Sequence, residues 1–389
     1  MGAEAREGGS ERSESPTGPT HVREALRQSD ALHARVRSLI DGRTGADNFD
    51  ALGADIARFQ AEHVPGYARL CAARGVVPAR IARAADAPAV PTDAFKIARV
   101  FAFDDGDARV TFRTSGTTLG ARGSHAFRDV GTYDAGALAF GRAMLARGLA
   151  SPLPVVVVGP SPQEAPDSSL SHMCGLFARA LDPGQPVERV YCVRGGALDV
   201  DGLRARVSGL APGRPAIVLA TSFALVHLLD AIGGDILGLP PGSRVMQTGG
   251  FKGRSREVAA DELRRDVARA FGVAERAVVG EYGMTELSSQ FWEATLVDER
   301  AAPGVYAEPP WARVVPVDPE TLAPVAPGGV GIARIEDLAN VDSAFAVLAQ
   351  DRVRRVPGGF ELLGRAPGAP PRGCSIALDE MLSDAGSAR

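Results

Sequence analysis

Val155-Val156-Val157-Val158-Gly159-Pro160 is the stretch on which the fold turns. Four β-branched residues closed by a Gly-Pro stop read as a short strand. Val187 to Val193 and Ala216 to Ala220 are strand-like as well, and helix-like segments, His172 to Leu181 and Asp201 to Leu210, lie between them. Strand-helix-strand alternation of this kind argues for an α/β domain with a largely parallel sheet flanked by helices. Downstream, Ala259, Leu263, Val267 and Phe271 keep a spacing of four, and Gly272 supplies a helix stop. A further short strand, Ala277 to Gly280, then delivers Glu281 to Gln290 to the end of the sheet, where binding loops of parallel sheets gather.

Upstream of the quoted strand, Val22, Leu26, Leu32, Val36 and Ile40 recur mainly at spacings of four, predicting a helix from His21 to Arg43. A second helix is expected from Phe49 to Ala72 and a third from Gly131 to Arg147, with a strand around Val110-Thr111-Phe112. After about Pro303 the texture changes to prolines, glycines and short β-like runs: Ala312 to Pro316, Gly331 to Ile335 and Phe360 to Leu363. The expected organisation is therefore a disordered tail over 1–20, an α/β domain over 21–302 and a smaller β-rich subdomain over 303–389.

Composition narrows the function. With 45% hydrophobic and 23% charged residues the chain is an ordinary globular protein, and a net charge of -4 gives no basic footprint for nucleic acid or an anionic membrane. Small molecules are the expected partners. Cys71, Cys174, Cys192 and Cys374 are widely spaced with no Cys-x-x-Cys pair, so neither a zinc site nor a disulfide framework is indicated. The Gly-, Ser-, Glu- and Arg-rich start lacks the apolar segment of a secretory signal, and a cytoplasmic, reduced location is expected.

Two stretches carry chemistry. Arg113-Thr114-Ser115-Gly116-Thr117-Thr118-Leu119-Gly120-Ala121-Arg122-Gly123-Ser124-His125 packs hydroxyls and backbone N–H groups around a glycine, which is what a polyphosphate needs. A polar hairpin turn is the plainer reading of the same residues. Far downstream stands Glu281-Tyr282-Gly283-Met284-Thr285-Glu286-Leu287-Ser288-Ser289-Gln290. Here Tyr282 offers a ring to stack on adenine, Thr285 a hydroxyl for an α-phosphate, and Glu286 the hard oxygen that Mg²⁺ prefers. Taken alone, that run also suits a strand-to-helix turn with a threonine cap. Together the two stretches match what attaching AMP to a carboxylate requires: a grip on the triphosphate, a divalent ion, and a pocket for the acid.

The chain resembles the acyl-protein synthetase family, whose best-known member is the LuxE component of bacterial fatty-acid reductase, a branch of the adenylate-forming superfamily. The likeness runs from about Pro91 to Met381 through Pro91-Thr92-Asp93-Ala94-Phe95-Lys96, the Thr-Ser-Gly-Thr-Thr loop ending in Ser124-His125, and Ser168-Ser169-Leu170. It continues through Thr248-Gly249-Gly250-Phe251-Lys252-Gly253-Arg254-Ser255, the Tyr-Gly-Met-Thr-Glu run, Gly364-Arg365 and Arg372-Gly373-Cys374-Ser375. The resemblance implies an adenylate-forming fold, with ATP and Mg²⁺ used to activate a carboxylic acid, fatty or aromatic, and pass it to a thiol. It implies that Thr114, Ser115, Gly116, Thr117 and Thr118 hold the phosphates with Gly249, Gly250 and Gly283 about the nucleotide, and Thr285 and Glu286 the α-phosphate and magnesium, while His125 lines the nucleotide site or serves as a loop hydrogen-bond partner. Asp351 takes the ribose, with Asp337 as the fallback because the usual context is reduced to Ala349-Gln350-Asp351. Arg365 matches the hinge arginine and Cys374 the acyl-accepting cysteine, on a mobile arm with Arg372 favouring its thiolate.

Two departures bear on this. The lysine that most of the superfamily has after Thr-Thr-Gly is absent, so Arg122 is the inferred substitute, and the chain stops soon after Cys374 without the mobile domain of acyl-CoA ligases. Ligation to coenzyme A, of the phenylacetate-CoA ligase type, and a non-catalytic nucleotide-binding protein stay open as alternatives, as does an acyl-reductase partner. Lys252, Arg254 and Arg256 read either as phosphate contacts or as a solvated cluster, and His172, Cys71, Cys174 and Cys192 as packing residues.

Overall fold

A computed structural model describes residues 19–43, 48–114, 121–186, 189–249, 258–366 and 372–382. In chain order the helices are α1 (Pro19–Ile40), α2 (Phe49–His63), α3 (Pro65–Ala73), α4 (Ala94–Ile97), α5 (Gly131–Met144), α6 (Ser169–Leu181), α7 (Val200–Ser208), α8 (Ser222–Ile232), α9 (Ala260–Phe271) and α10 (Arg372–Leu382). The strands are β1 (Val90–Pro91), β2 (Val110–Arg113), β3 (Ser124–Phe127), β4 (Val155–Val158), β5 (Val193–Arg194), β6 (Ala197–Leu198), β7 (Ile217–Thr221), β8 (Arg244–Thr248) and β9 (Val278–Tyr282). They continue with β10 (Phe291–Glu293), β11 (Val305–Ala307), β12 (Ala312–Val317), β13 (Val330–Asp337), β14 (Ala346–Val356) and β15 (Gly359–Arg365).

The quoted valine run forms β4, and the alternation around it builds four parallel strands in the order β4-β7-β8-β9. Their alternate side chains split into two cores, as expected when helices cover both faces. Val155, Val157, Ile217, Leu219, Met246 and Val279 share a core with Ala137 and Phe140 of α5 and Met173, Cys174 and Phe177 of α6. Val156, Val158, Val218, Val245 and Val278 pack against α7, α8 and α9 through Leu203, Leu225, Val267 and Phe271. Each fully buried side chain of this size contributes about 2 kcal/mol.

The sheet does not end at β9. It continues antiparallel through β10, β11, β15, β14, β13 and β12, with β1 pairing parallel to β14, so that one eleven-stranded mixed sheet crosses residue 303. The C-terminal region is strand-rich as expected, yet its strands extend the parallel sheet rather than forming one of their own. A third core lies beneath it, where Tyr67, Leu70, Phe95, Phe291, Val347, Phe360 and Met381 meet.

Several expectations shift for local reasons. The helix expected over Phe49 to Ala72 breaks at Val64, because Pro65 has no N–H to continue the ladder and starts α3 instead. The strand expected over Val187 to Val193 reduces to one bridge between Tyr191 and Val157 followed by the short β5–β6 ribbon, with residues 187 and 188 outside the described ones. Gly272 does end α9, in the left-handed conformation at φ +67°. Of the expected tail, residues 1–18 lie outside the described residues. No described helix is long and apolar enough to cross a membrane.

Candidate active site

The first chemical stretch spans an antiparallel ribbon, with β2 before it and β3 after it. Its base is closed by Thr114, whose N–H donates to the Gly123 carbonyl at 2.9 Å and whose Oγ1 accepts from the Gly123 N–H at 2.9 Å. Ser115, Gly116, Thr117 and Thr118 lie outside the described residues, as do Gly250, Lys252, Arg254 and Arg256. Arg122 stands at the exposed edge of the base. Its guanidinium donates to the carbonyls of Thr114 (2.7 Å) and Arg113 (3.2 Å) and pairs with Asp167 at 2.6 Å. That arginine clamps the loop's two ends together and ties them to the segment entering α6. In the same segment Ser168, read as part of a motif, caps α6 by accepting from the Ser171 N–H at 3.1 Å.

The second stretch leaves the carboxyl end of β9. His125 joins the two: its Nδ1 lies 2.8 Å from the Thr285 carbonyl oxygen. A carbonyl only accepts, so Nδ1 carries the proton. Buried against Phe95 and Phe127, the ring is held neutral, with its pKa pushed down to about 4 by loss of solvent. Residues 160 apart in sequence thereby meet at one end of the sheet.

A buried loop after β13 fixes the Thr285–Gln290 run from below. Asp337 accepts from the N–H groups of Ser288 and Ser289, each at 2.9 Å, from Ser289 Oγ at 2.6 Å and from the Ala339 N–H at 3.0 Å. Burial lifts its carboxyl to about 6 against those bonds. A carboxylate so committed has no room for a ribose, which removes Asp337 as the fallback. Asn340 holds the Glu286 carbonyl at 3.0 Å through Nδ2 and accepts from Ser288 Oγ at 2.5 Å. Gln60 on α2 secures the same loop through the carbonyls of Asn340 and Val341 and the N–H of Phe345.

Tyr282, Asp351 and Arg365 come together. The Tyr282 hydroxyl donates to Asp351 at 2.9 Å, and Asp351 on β14 lies directly across from Arg365 on β15. The Tyr282 ring is packed among Phe291, Tyr306 and Phe360, with centroids about 6 Å apart. Gly283 leaves room beside it: a Cβ there would come within 2.6 Å of Glu281 Oε1, so that the Glu281 side chain would have to shift. Gly249, at φ +76°, takes a backbone conformation that favours glycine, and its carbonyl accepts from Ser222 Oγ at 2.7 Å.

Glu286 is buried, and Thr285 is half-buried beside it. No three His, Cys, Asp or Glu side chains converge to hold an ion among the described residues.

Cys374 differs from expectation. It sits in the first turn of α10, buried, with Gly373 donating its N–H to the Pro319 carbonyl at 3.0 Å. Burial, with Asp93 adding to it, pushes the thiol up to about 11, so the thiolate expected from Arg372 is overruled. The link to the site runs through Asp93, which accepts from Gln350 at 3.0 Å, the residue before Asp351, and pairs with Lys96 at 2.6 Å.

Two features were given no role in the reading of the motifs. The first is an apolar cavity of about 510 Å³ at the carboxyl ends of β4 and β7, lined by Val158, Leu170, Cys174, Leu219, Phe223 and His227 among others. The second is Glu281, fully buried at the end of β9, whose carboxylate accepts from Thr248 Oγ1. The cavity arises partly from α8, a helix whose apolar positions Leu225, Leu228, Leu229 and Ile232 follow the threonine cap Thr221 and so were readable.

Residues 209–383 match the family model of acyl-protein synthetase, LuxE. Among solved structures, 2-hydroxyisobutyryl-CoA ligase in the postadenylation state, with R3-HIB-AMP, aligns with a TM-score of 0.54 at 16% identity over 88% of this chain and 68% of that one. An open conformation of the same enzyme with 2-HIB-AMP and CoA gives 0.53 at 17% identity, over 88% and 75%. ATP-bound MatB from Rhodopseudomonas palustris aligns at 0.48 and 15% identity over 68% of this chain, which spans about half of MatB's length. No curated protein matches the chain. At these identities the structural likeness speaks for the fold, that of the adenylate-forming ligases. The family match meets the resemblance read from the motifs in the chain's second half.

Proposed function

We propose that the protein is an ATP-dependent acid–thiol ligase, joining AMP to a carboxylic acid and then passing the acyl group to a thiol. The observation that carries this reading is the bond from His125 to the Thr285 carbonyl, which ties the β2–β3 ribbon, between whose strands the hydroxyl-rich sequence runs, to the Thr285–Glu286 turn at one end of the parallel strands. The apolar cavity opens at that same end and suits the chain of a fatty acid or an aromatic acid.

In this reading one carboxylate oxygen attacks the α-phosphorus, the bond to the bridging oxygen breaks, and pyrophosphate leaves. Thr114 to Thr118 grip the phosphates, Thr285 holds the α-phosphate, and Asp351 with Tyr282 frames the ribose. Glu286 would hold a magnesium ion, which offsets negative charge on the phosphates when bound. Arg122, fixed to Asp167, shapes the phosphate loop rather than reaching freely for the leaving group. The acyl carbon of the adenylate is then attacked by a thiolate, and AMP departs.

Cys374 is the acceptor that the family resemblance supplies. Its burial favours a second reading, in which the acceptor is a soluble thiol such as coenzyme A. Incubation with ATP, Mg²⁺ and a radiolabelled fatty acid separates the two. A protein acceptor gives label that neutral hydroxylamine releases and that Cys374→Ala abolishes. Label that never attaches, or that survives in Cys374→Ala, contradicts Cys374 as the acceptor, and in the first case acyl-CoA formed on adding coenzyme A identifies a soluble one.

A further inference from the structure

The buried carboxyl of Glu281 has no place in the roles above, yet it sits at their centre. Thr221, Thr248 and Glu281 are register partners on adjacent parallel strands, so their side chains share one face and one end of the sheet. Thr221 lines the apolar cavity, and Cys174, which lines it too, lies close enough to feel the charge of Glu281. Following Glu281 in sequence comes the turn that carries Thr285 and Glu286.

The surroundings of Glu281 favour its neutral form. Thr248 Oγ1 donates to Oε2, while Oε1 lies over Gly283, where a Cβ would force it to shift. The ionisable groups facing it from other elements are Tyr133 on α5, Cys174 on α6 and Tyr306 on β11, all acids pushed up by burial. No lysine or arginine pairs with it among the described residues, since the buried Arg264 is engaged by both oxygens of Glu293 at 2.6 and 2.8 Å. Loss of solvent lifts the carboxyl to about 7, opposed by the Thr248 bond.

Resting on the adenylation reading of this site, we propose that Glu281, two strands across the sheet from the cavity's Thr221, receives the carboxylate of a substrate whose chain lies in the cavity. A proton kept on Oε1 donates a hydrogen bond to one carboxylate oxygen and leaves the other free for the α-phosphorus. An ionised Glu281 would instead repel the incoming anion, so the acid binds together with a proton whenever the pH exceeds the carboxyl's own titration. The device makes acid capture, and not nucleotide capture, sensitive to pH near neutrality.

Direct binding of decanoate to the full chain, measured by calorimetry without ATP, tests this separately from turnover. Between pH 7 and 8.5 the wild-type Kd should rise about 15-fold, its slope approaching the tenfold per pH unit of one proton at the upper end. Titrations in buffers of different ionisation enthalpy should show uptake of about one proton at pH 8.5 and about none at pH 6. Glu281→Gln keeps a donor without a titration, so its affinity should stay level across this range with no proton uptake. Thr248→Val removes the bond that favours the ionised form, so its inflection should move to higher pH. Decanoate that fails to bind at any pH, a level wild-type Kd, or unchanged proton uptake in Glu281→Gln overturns the proposal. Proton-coupled binding without acid-dependent pyrophosphate exchange would instead overturn the adenylation reading and leave the role of Glu281 as a proton-bearing acid receptor standing.

Discussion

His125 and Glu281 are both fully buried and titrate in opposite senses. Histidine with a pKa of about 4 is neutral in the folded chain while the unfolded chain, near its ordinary 6.5, still takes up a proton. Between pH 6.5 and 4 the unfolded state therefore binds more protons, and stability falls as the pH drops. Glu281 does the reverse: between its ordinary 4.5 and about 7 the folded state binds more protons, and stability falls as the pH rises. The two trends partly cancel in the wild type, so each needs a variant to expose it. His125→Phe keeps a ring between Phe95 and Phe127 but cannot titrate. Relative to the wild type it should gain about 3 kcal/mol of unfolding free energy on going from pH 7 to pH 4, read by urea denaturation. A difference that is independent of pH would mean that the imidazole is not held neutral. Cys374 teaches the same lesson from the sequence side. Arg372 next to it suggested a thiolate, but a neighbour's charge is legible in sequence while burial is not, and burial decides.

At the scale of elements, the site is a turn resting on a loop. The Thr285–Gln290 run was legible as chemistry; its support was not, because Gln60, Asp337 and Asn340 act through backbone groups 45 or more residues distant in sequence. No periodicity or motif signals such a contact. Asn340→Ala would leave the Glu286 and Ala344 carbonyls and the Ser288 hydroxyl without this partner in a buried place. Each orphaned group costs about 1–3 kcal/mol. The variant should lose about 2 kcal/mol or more of stability in urea denaturation, and stability unchanged within error would remove Asn340 as the turn's anchor. Of the parallel strands, β4, β7 and β9 were legible because each carries a short apolar run, as Val155 to Val158 does, whereas β8, with only Val245 and Met246 apolar, was not read. The β5–β6 ribbon and α10 were not: Val187 to Val193 looks like a strand but makes a single bridge, and α10 follows proline- and glycine-rich sequence that reads as an arm.

The whole molecule explains why the fold class was readable and the boundary at residue 303 was less so. A change in texture from helix-rich to proline- and glycine-rich sequence marks the passage from parallel to antiparallel pairing, which needs turns rather than crossover helices. It does not require a new sheet, and β10 and β11 carry the old one across. The consequence is functional. One continuous sheet carries the Thr285–Glu286 turn and the Asp351–Arg365 strand pair, and the separate β2–β3 ribbon is tied to that turn through His125, so that in the adenylation proposed above nucleotide and acid meet without a domain movement.

That claim is tested most directly by exchange of radiolabelled pyrophosphate into ATP, assayed with Mg²⁺ over a panel of fatty and aromatic acids. Exchange should appear only when a suitable acid is present. In Glu286→Gln, folded as judged by its thermal transition, it should fall about a hundredfold or more, the usual cost of about 3 kcal/mol for losing one pre-placed electrostatic group. Exchange without any acid, no exchange with every acid tried, or wild-type exchange in Glu286→Gln would contradict the account.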